Sequence, residues 1–105
     1  MASKNYKVII YPSAQKDLKE IKNYFTEVLK TNSNVVFEKF LCRIQLLKRI
    51  PFTYSVHSDP FLKLVQYRVF STDKYLVFYV VRGGEVQIHR VLYAKRNYIE
   101  LLKID

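Results

Sequence analysis

Arg68 and Arg90 sit inside runs of β-branched and aromatic residues, and Lys95 and Arg96 follow just beyond the last run. A guanidinium in an apolar strand must meet water, a carboxylate or an anionic ligand, because burying it unpaired is too costly. Metal-free cleavage of an RNA backbone needs cations around the phosphorane, an acid for the leaving oxygen and a base for the 2′-hydroxyl. Arg68, Arg90, Lys95 and Arg96 supply the cations. The proton-transfer groups are less evident. His89 falls on a core-facing strand position beside Phe78 and reads as structural, and His57 lies in a loop with no charged partner in view and reads as exposed. Cys42 has no neighbouring base and reads as a buried or half-buried helix thiol rather than a nucleophile. Two histidines and one cysteine without ligand spacing predict no metal site. Without a Gly-rich phosphate loop or a Ser/His/Asp set, no cofactor is expected, and nucleotide hydrolysis and acyl transfer have no support.

The elements that must hold these residues are legible from pattern. Three apolar runs, starting at Lys63, Lys74 and Glu85, are separated only by Ser71-Thr72-Asp73 and Gly83-Gly84, and predict a three-stranded antiparallel meander. Gly83-Gly84 suits a two-residue hairpin turn, whose geometry demands positive φ. That turn pairs Arg82 with Glu85, Tyr79 with Ile88, Phe78 with His89 and Val77 with Arg90. A second turn at Thr72-Asp73 pairs Arg68 with Val77. One face then carries Tyr67, Val69, Phe78, Val80, His89, Val91 and Tyr93 and reads as the core. The other carries Arg68, Phe70, Tyr75, Val77, Tyr79, Ile88, Arg90 and Leu92. On it Arg68 and Arg90 flank Val77 about 10 Å apart, a spacing suited to a phosphodiester backbone or an acidic peptide.

Upstream, Tyr6–Tyr11 reads as a strand, and Ser13 as the cap of a helix with Asp17 in its first turn. Ala14, Leu18, Ile21, Phe25 and Val28 recur at helical spacing to about Lys30. The face bearing Lys16, Lys19 and Lys22 reads as solvated. A second helix spans Val35 to Arg49, with Phe37, Phe40, Leu41, Ile44 and Leu47 as its buried stripe and Val36 and Leu46 off it; Pro51 stops it. Residues 51 to 62 read as a surface loop anchored by Phe52, Tyr54 and Phe61, and Tyr98, Ile99, Leu101 and Leu102 as a short terminal helix. The fold class is α+β: N-terminal strand, antiparallel helical hairpin, three-stranded antiparallel meander, short C-terminal helix.

At 105 residues the chain is one domain, 1–105. Eighteen Lys and Arg against nine Asp and Glu leave +9, a charge that favours a polyanionic or acidic partner. No apolar run approaches the length of a membrane span, so no membrane partner is expected. Met1 to Asn5 lack the apolar core of a signal peptide, and one cysteine fits a reducing compartment; the expectation is cytoplasmic.

The run from Val8 through Ile21, then Tyr67-Arg68, Tyr75-Leu-Val-Phe-Tyr-Val-Val81 and Arg90-Val-Leu-Tyr-Ala-Lys-Arg-Asn-Tyr98, resembles toxins of the RelE/ParE superfamily over nearly the whole chain. The resemblance implies the toxin half of a bacterial type II toxin–antitoxin pair, held inactive by a cognate antitoxin. Its target would be either ribosome-bound mRNA, cut by a metal-independent endoribonuclease, or DNA gyrase, poisoned by binding. By position Arg68 resembles the arginine that contacts the scissile phosphate in the ribonuclease members. Arg96 resembles the arginine that stabilises the transition state, and Tyr98 lies near the place of a catalytic tyrosine. Arg90, Lys95 and Lys63 would then help to bind nucleic acid or the target. Tyr98 follows Arg96 more closely than in the RelE pattern, which would put Leu102 there, and Lys63 alone stands for a pair of lysines. The Arg90-Val-Leu-Tyr93 segment looks more like the ParE and plasmid-stabilisation branch. The alternative is a non-toxic basic RNA- or protein-binding module that keeps the fold.

Overall fold

Pro12 sets the boundary on which the first layer depends. Its fixed φ and missing N–H suit the first position of a helix. In the computed structural model, which describes residues 5–104, helix α1 accordingly runs Pro12–Glu27 directly after strand β1, Lys7–Ile10. Ser13 is therefore inside the helix rather than capping it, and its hydroxyl donates to the carbonyl of His89 at 2.7 Å. Asp17 lies beyond the first turn and is buried. The helix ends before Val28, which is 61% exposed instead of joining the core. Helix α2, Asn34–Arg49, buries Val36, Phe40, Ile44 and Leu47 and leaves Leu41 exposed, so its stripe is rotated from the expected one.

Helix α3, Pro60–Val65, takes up the end of the segment read as a loop and the start of the run read as a strand. Asp59 caps it, its carboxylate accepting from the N–H groups of Phe61 and Leu62 at 2.9 and 3.1 Å, and Gln66 ends it at φ 69°. The meander therefore starts five residues later than Lys63: β2 is Arg68–Thr72, β3 Tyr75–Arg82 and β4 Glu85–Tyr93. Helix α4, Tyr98–Ile104, closes the chain. Met1 to Lys4, which contributed to the leader-sequence reading, and Asp105 lie outside the described residues.

The four strands form one sheet in the order β1-β4-β3-β2, with β1 parallel to β4 and the other pairs antiparallel. Gly83 and Gly84, at φ 56° and 80°, make the expected hairpin, with Arg82 opposite Glu85 and Tyr79 opposite Ile88. The other turn is Asp73-Lys74, one residue later than expected, because Asp73 takes the positive φ of 53°. Arg68 consequently faces Tyr79, not Val77. A bulge opposite Phe78/Tyr79 inserts His89, so Phe78 pairs with Arg90 and Val77 with Val91.

The bulge reverses the facing of the rest of β4. Val91 joins Val77 and Tyr79 against Ala14, Ile21, Phe40, Ile44 and Leu47 of α1 and α2. Leu92 joins Tyr67, Phe78 and Val80 against Leu62 of α3 and Leu102 of α4. Both faces are thus core, where a single core face was expected. Leu47 is fully buried, so truncating it to alanine would cost about 2–5 kcal/mol. Tyr79 is fully buried too and donates its hydroxyl to the carbonyl of Pro51 at 2.8 Å, so the second layer's connecting loop is tied to the sheet.

Candidate functional site

The shift in α2's buried stripe and the end of α1 at Glu27 leave an opening between the helical hairpin and the end of the sheet. This groove, about 910 Å³, is lined by Ile21, Tyr24, Phe25 and Leu29 of α1 and its following turn, Val36 of α2, and Tyr75, Val91 and Tyr93 of the sheet. Tyr24 and Leu29 are about half exposed at its mouth, at 48% and 47%. Burial raises the pKa of the Tyr75 hydroxyl, and Tyr24, Tyr93 and Asp73 nearby push it the same way. It therefore stays a neutral hydrogen-bonding group at physiological pH.

Cations stand at the rim. Arg96 and Lys74 line the groove and are exposed, and no side-chain hydrogen bond or ion pair holds either among the described residues. Glu20 and Asp73 are the carboxylates near them, but Asp73 is bound by Lys39 at 2.9 Å. The floor is an ion pair. Asp17 accepts from Arg90 Nε at 2.7 Å, from Arg90 Nη2 at 3.0 Å and from the backbone N–H of Val91 at 2.9 Å. Arg90 is therefore spent inside the protein, and the expected row of Arg68 and Arg90 across Val77 does not exist. The bulge at His89 moved Arg90 out of it.

Arg68 is also engaged. Its Nη1 donates to the carbonyl of Tyr54 at 2.7 Å, and its guanidinium lies 4.9 Å from the centre of the Phe52 ring. Arg43 bonds the Tyr54 hydroxyl and faces the Tyr54 and Phe70 rings at 5.7 and 5.8 Å, so two arginines pin the loop after α2. Arg68 pairs with Tyr79 on the α1–α2 face. Tyr98 packs on Phe78 on the opposite face, ring centres 5.4 Å apart. The sheet thus stands between the two residues that a nuclease would need together. Arg96 precedes Tyr98 in the chain but lines the groove. Lys95 is exposed in the same turn, and Lys63 is exposed on α3 in the other layer.

His57, expected to be exposed and unpartnered, is half-buried. Its Nδ1 accepts the N–H of Asp59 at 3.0 Å, which leaves the neutral ring's proton on Nε2, 3.3 Å from the Tyr98 hydroxyl. His89 lies across from Phe78 and Tyr79, its ring meeting that of Tyr67 edge-on at 5.3 Å. As the bulge residue it stacks on Tyr11 at 4.5 Å, while Nδ1 lies 2.8 Å from the Tyr67 hydroxyl and Nε2 3.3 Å from Gln87 Oε1. Cys42 is exposed, contrary to expectation. No group of three or more His, Cys, Asp or Glu among the described residues is placed to hold a metal ion, and no helix is long and apolar enough to cross a membrane.

Sequence reasoning missed Asp17, Arg43 and His57. Asp17 had a signal, since it falls between Ala14 and Ile21 on the apolar stripe of α1, where a carboxylate must find a cation. Arg43 and His57 had none, because their partners lie in a loop whose path no periodicity encodes.

No curated protein matches the chain in sequence. Among solved structures, a chain of the chromosomal ParDE toxin–antitoxin system from P. aeruginosa superposes with a TM-score of 0.69 at 15% identity, over 89% of this chain and 100% of its own. That likeness establishes the fold. Residues 8–98, from β1 to the first residue of α4, match the family described as the ParE toxin of type II toxin–antitoxin systems, parDE. The chain belongs to the ParE toxin family.

Proposed function

We propose that this toxin acts by binding its target, DNA gyrase, rather than by cutting RNA, and that a cognate antitoxin silences it by occupying the groove between the helical hairpin and the sheet. The observation carrying the first part is the separation of Arg68 from Tyr98. Phosphodiester cleavage needs cation, acid and base converging within hydrogen-bond reach of one phosphate. Here Arg68 is fastened to Tyr54 under one face of the sheet and Tyr98 to His57 on the other. The family reading favours gyrase over the ribosome.

The second part rests on the groove's chemistry. An apolar lining with unpaired Arg96 and Lys74 at its rim suits a segment that offers apolar side chains and a carboxylate, and +9 overall favours an acidic partner. Induced expression, with the DNA-damage response and mRNA ends followed together, tests the mode of action. The expected result is a strong DNA-damage response with intact mRNA. Codon-linked mRNA cuts would restore the nuclease reading, and neither response would leave a non-toxic binding module.

A further inference from the structure

The loop from Ile50 to Asp59 is a strap that leaves the end of α2, passes the β2 edge and finishes in the layer of α3 and α4. Its course is fixed by bonds from both layers. Tyr79 donates to the carbonyl of Pro51, Arg68 to that of Tyr54, Val56 bridges Arg68, and the N–H of His57 donates to the carbonyl of Tyr67 at 2.9 Å. It ends on the imidazole of His57, which Asp59 holds from one side while Nε2–H reaches Tyr98 on the other. It is the backbone N–H of Asp59 that holds His57, while the Asp59 carboxylate caps α3.

Tyr98 is the first residue of α4 and sits at the end of the turn that carries Lys95 and Arg96. Its N–H donates to the carbonyl of Arg96 at 2.8 Å, and the N–H of Arg96 to that of Tyr93, a groove residue, at 3.0 Å. A helix of seven residues does not persist alone in water, so α4 is ordered only while docked. Leu102 docks one end of it, 2% exposed, and Tyr98 the other.

We propose that His57 is a positioning residue: a latch that holds α4 closed through Tyr98 and thereby sets the Lys95–Arg96 turn at the rim of the groove. The consequence for partner binding rests on the groove reading above, whereas the latch is a property of the free toxin. The two therefore fail separately.

Hydrogen exchange of the free toxin, resolved by segment and accompanied by a melting curve, tests it. In His57→Ala and Tyr98→Phe, exchange over residues 94–103 is expected to rise about fivefold to tenfold, the size of one lost hydrogen bond, with α1, α2 and β3 unchanged. His57→Gln, whose amide can donate to the same hydroxyl, is expected to restore protection. Unchanged exchange at 94–103 would overturn the proposal. So would a uniform rise across all elements, because that marks a general loss of stability rather than a latch. Should His57→Ala fail to fold, Tyr98→Phe, which keeps the ring on Phe78, decides the question alone.

Discussion

Asp17 and Arg90 show how much one pairing decides. Three hydrogen bonds converge on a carboxylate that is 6% exposed, so removing it takes an ionic partner from the largely buried Arg90 side chain and an acceptor from a backbone N–H. Asp17→Ala is expected to cost about 3 kcal/mol or more in a urea denaturation series. A loss below about 1 kcal/mol would show that water replaces the carboxylate at the groove floor. Tyr79 makes a second residue-scale prediction. Burial pushes its hydroxyl from 10.0 up to about 12, against the opposing pull of the Arg68 guanidinium. A folded-state value above the unfolded one means that the neutral phenol's contribution is intact below pH 10 and is lost as pH rises towards 12. Stability should therefore fall across that window, and Tyr79→Phe should flatten the fall, as melting curves from pH 9 to 12 would show. Arg68 changes standing at this scale. Its contact with Tyr54 makes Arg68→Ala a destabilising change, so growth assays on that variant need a melting curve beside them.

Among the elements, α3 is the one whose sequence signal was present and outweighed. Asp59-Pro60 is a capping residue followed by the residue most suited to the first helical position, yet the Ser and Pro content around it reads as loop. Asp59→Ala is expected to lower stability by about 1 kcal/mol, with α3 exchanging faster than the meander. The helical hairpin, the glycine turn and the short terminal helix were all legible, because each has a local rule behind it: period, positive φ, apolar spacing. The bulge was not. Nothing in Glu85–Tyr93 marks His89 as the extra residue. It is placed by contacts made far along the chain, from Ser13, Tyr11 and Tyr67. One residue inserted there removed Arg90 from the expected row and turned Val91 and Leu92 over, so the fold class survived while the pairing of Arg68 with Arg90 across Val77 did not.

For the whole molecule, charge and shape point the same way. Once Arg43, Arg68 and Arg90 are tied internally, much of the remaining positive charge is on exposed lysines and on Arg96 at the groove. Arg96→Glu is expected to leave the melting curve within about 0.5 kcal/mol of wild type and to weaken co-elution with a cognate antitoxin. Size exclusion after co-expression would measure both the complex and its loss. An unchanged complex would place the antitoxin elsewhere.

The claim of action by binding is tested most directly by adding the purified chain to DNA gyrase and plasmid and measuring gyrase-linked DNA breaks. The account predicts that such breaks accumulate in proportion to toxin and persist in Tyr98→Phe, which lacks the hydroxyl a nuclease would use. It is contradicted if gyrase remains unaffected by excess toxin while the same preparation cuts mRNA on ribosomes and Tyr98→Phe does not.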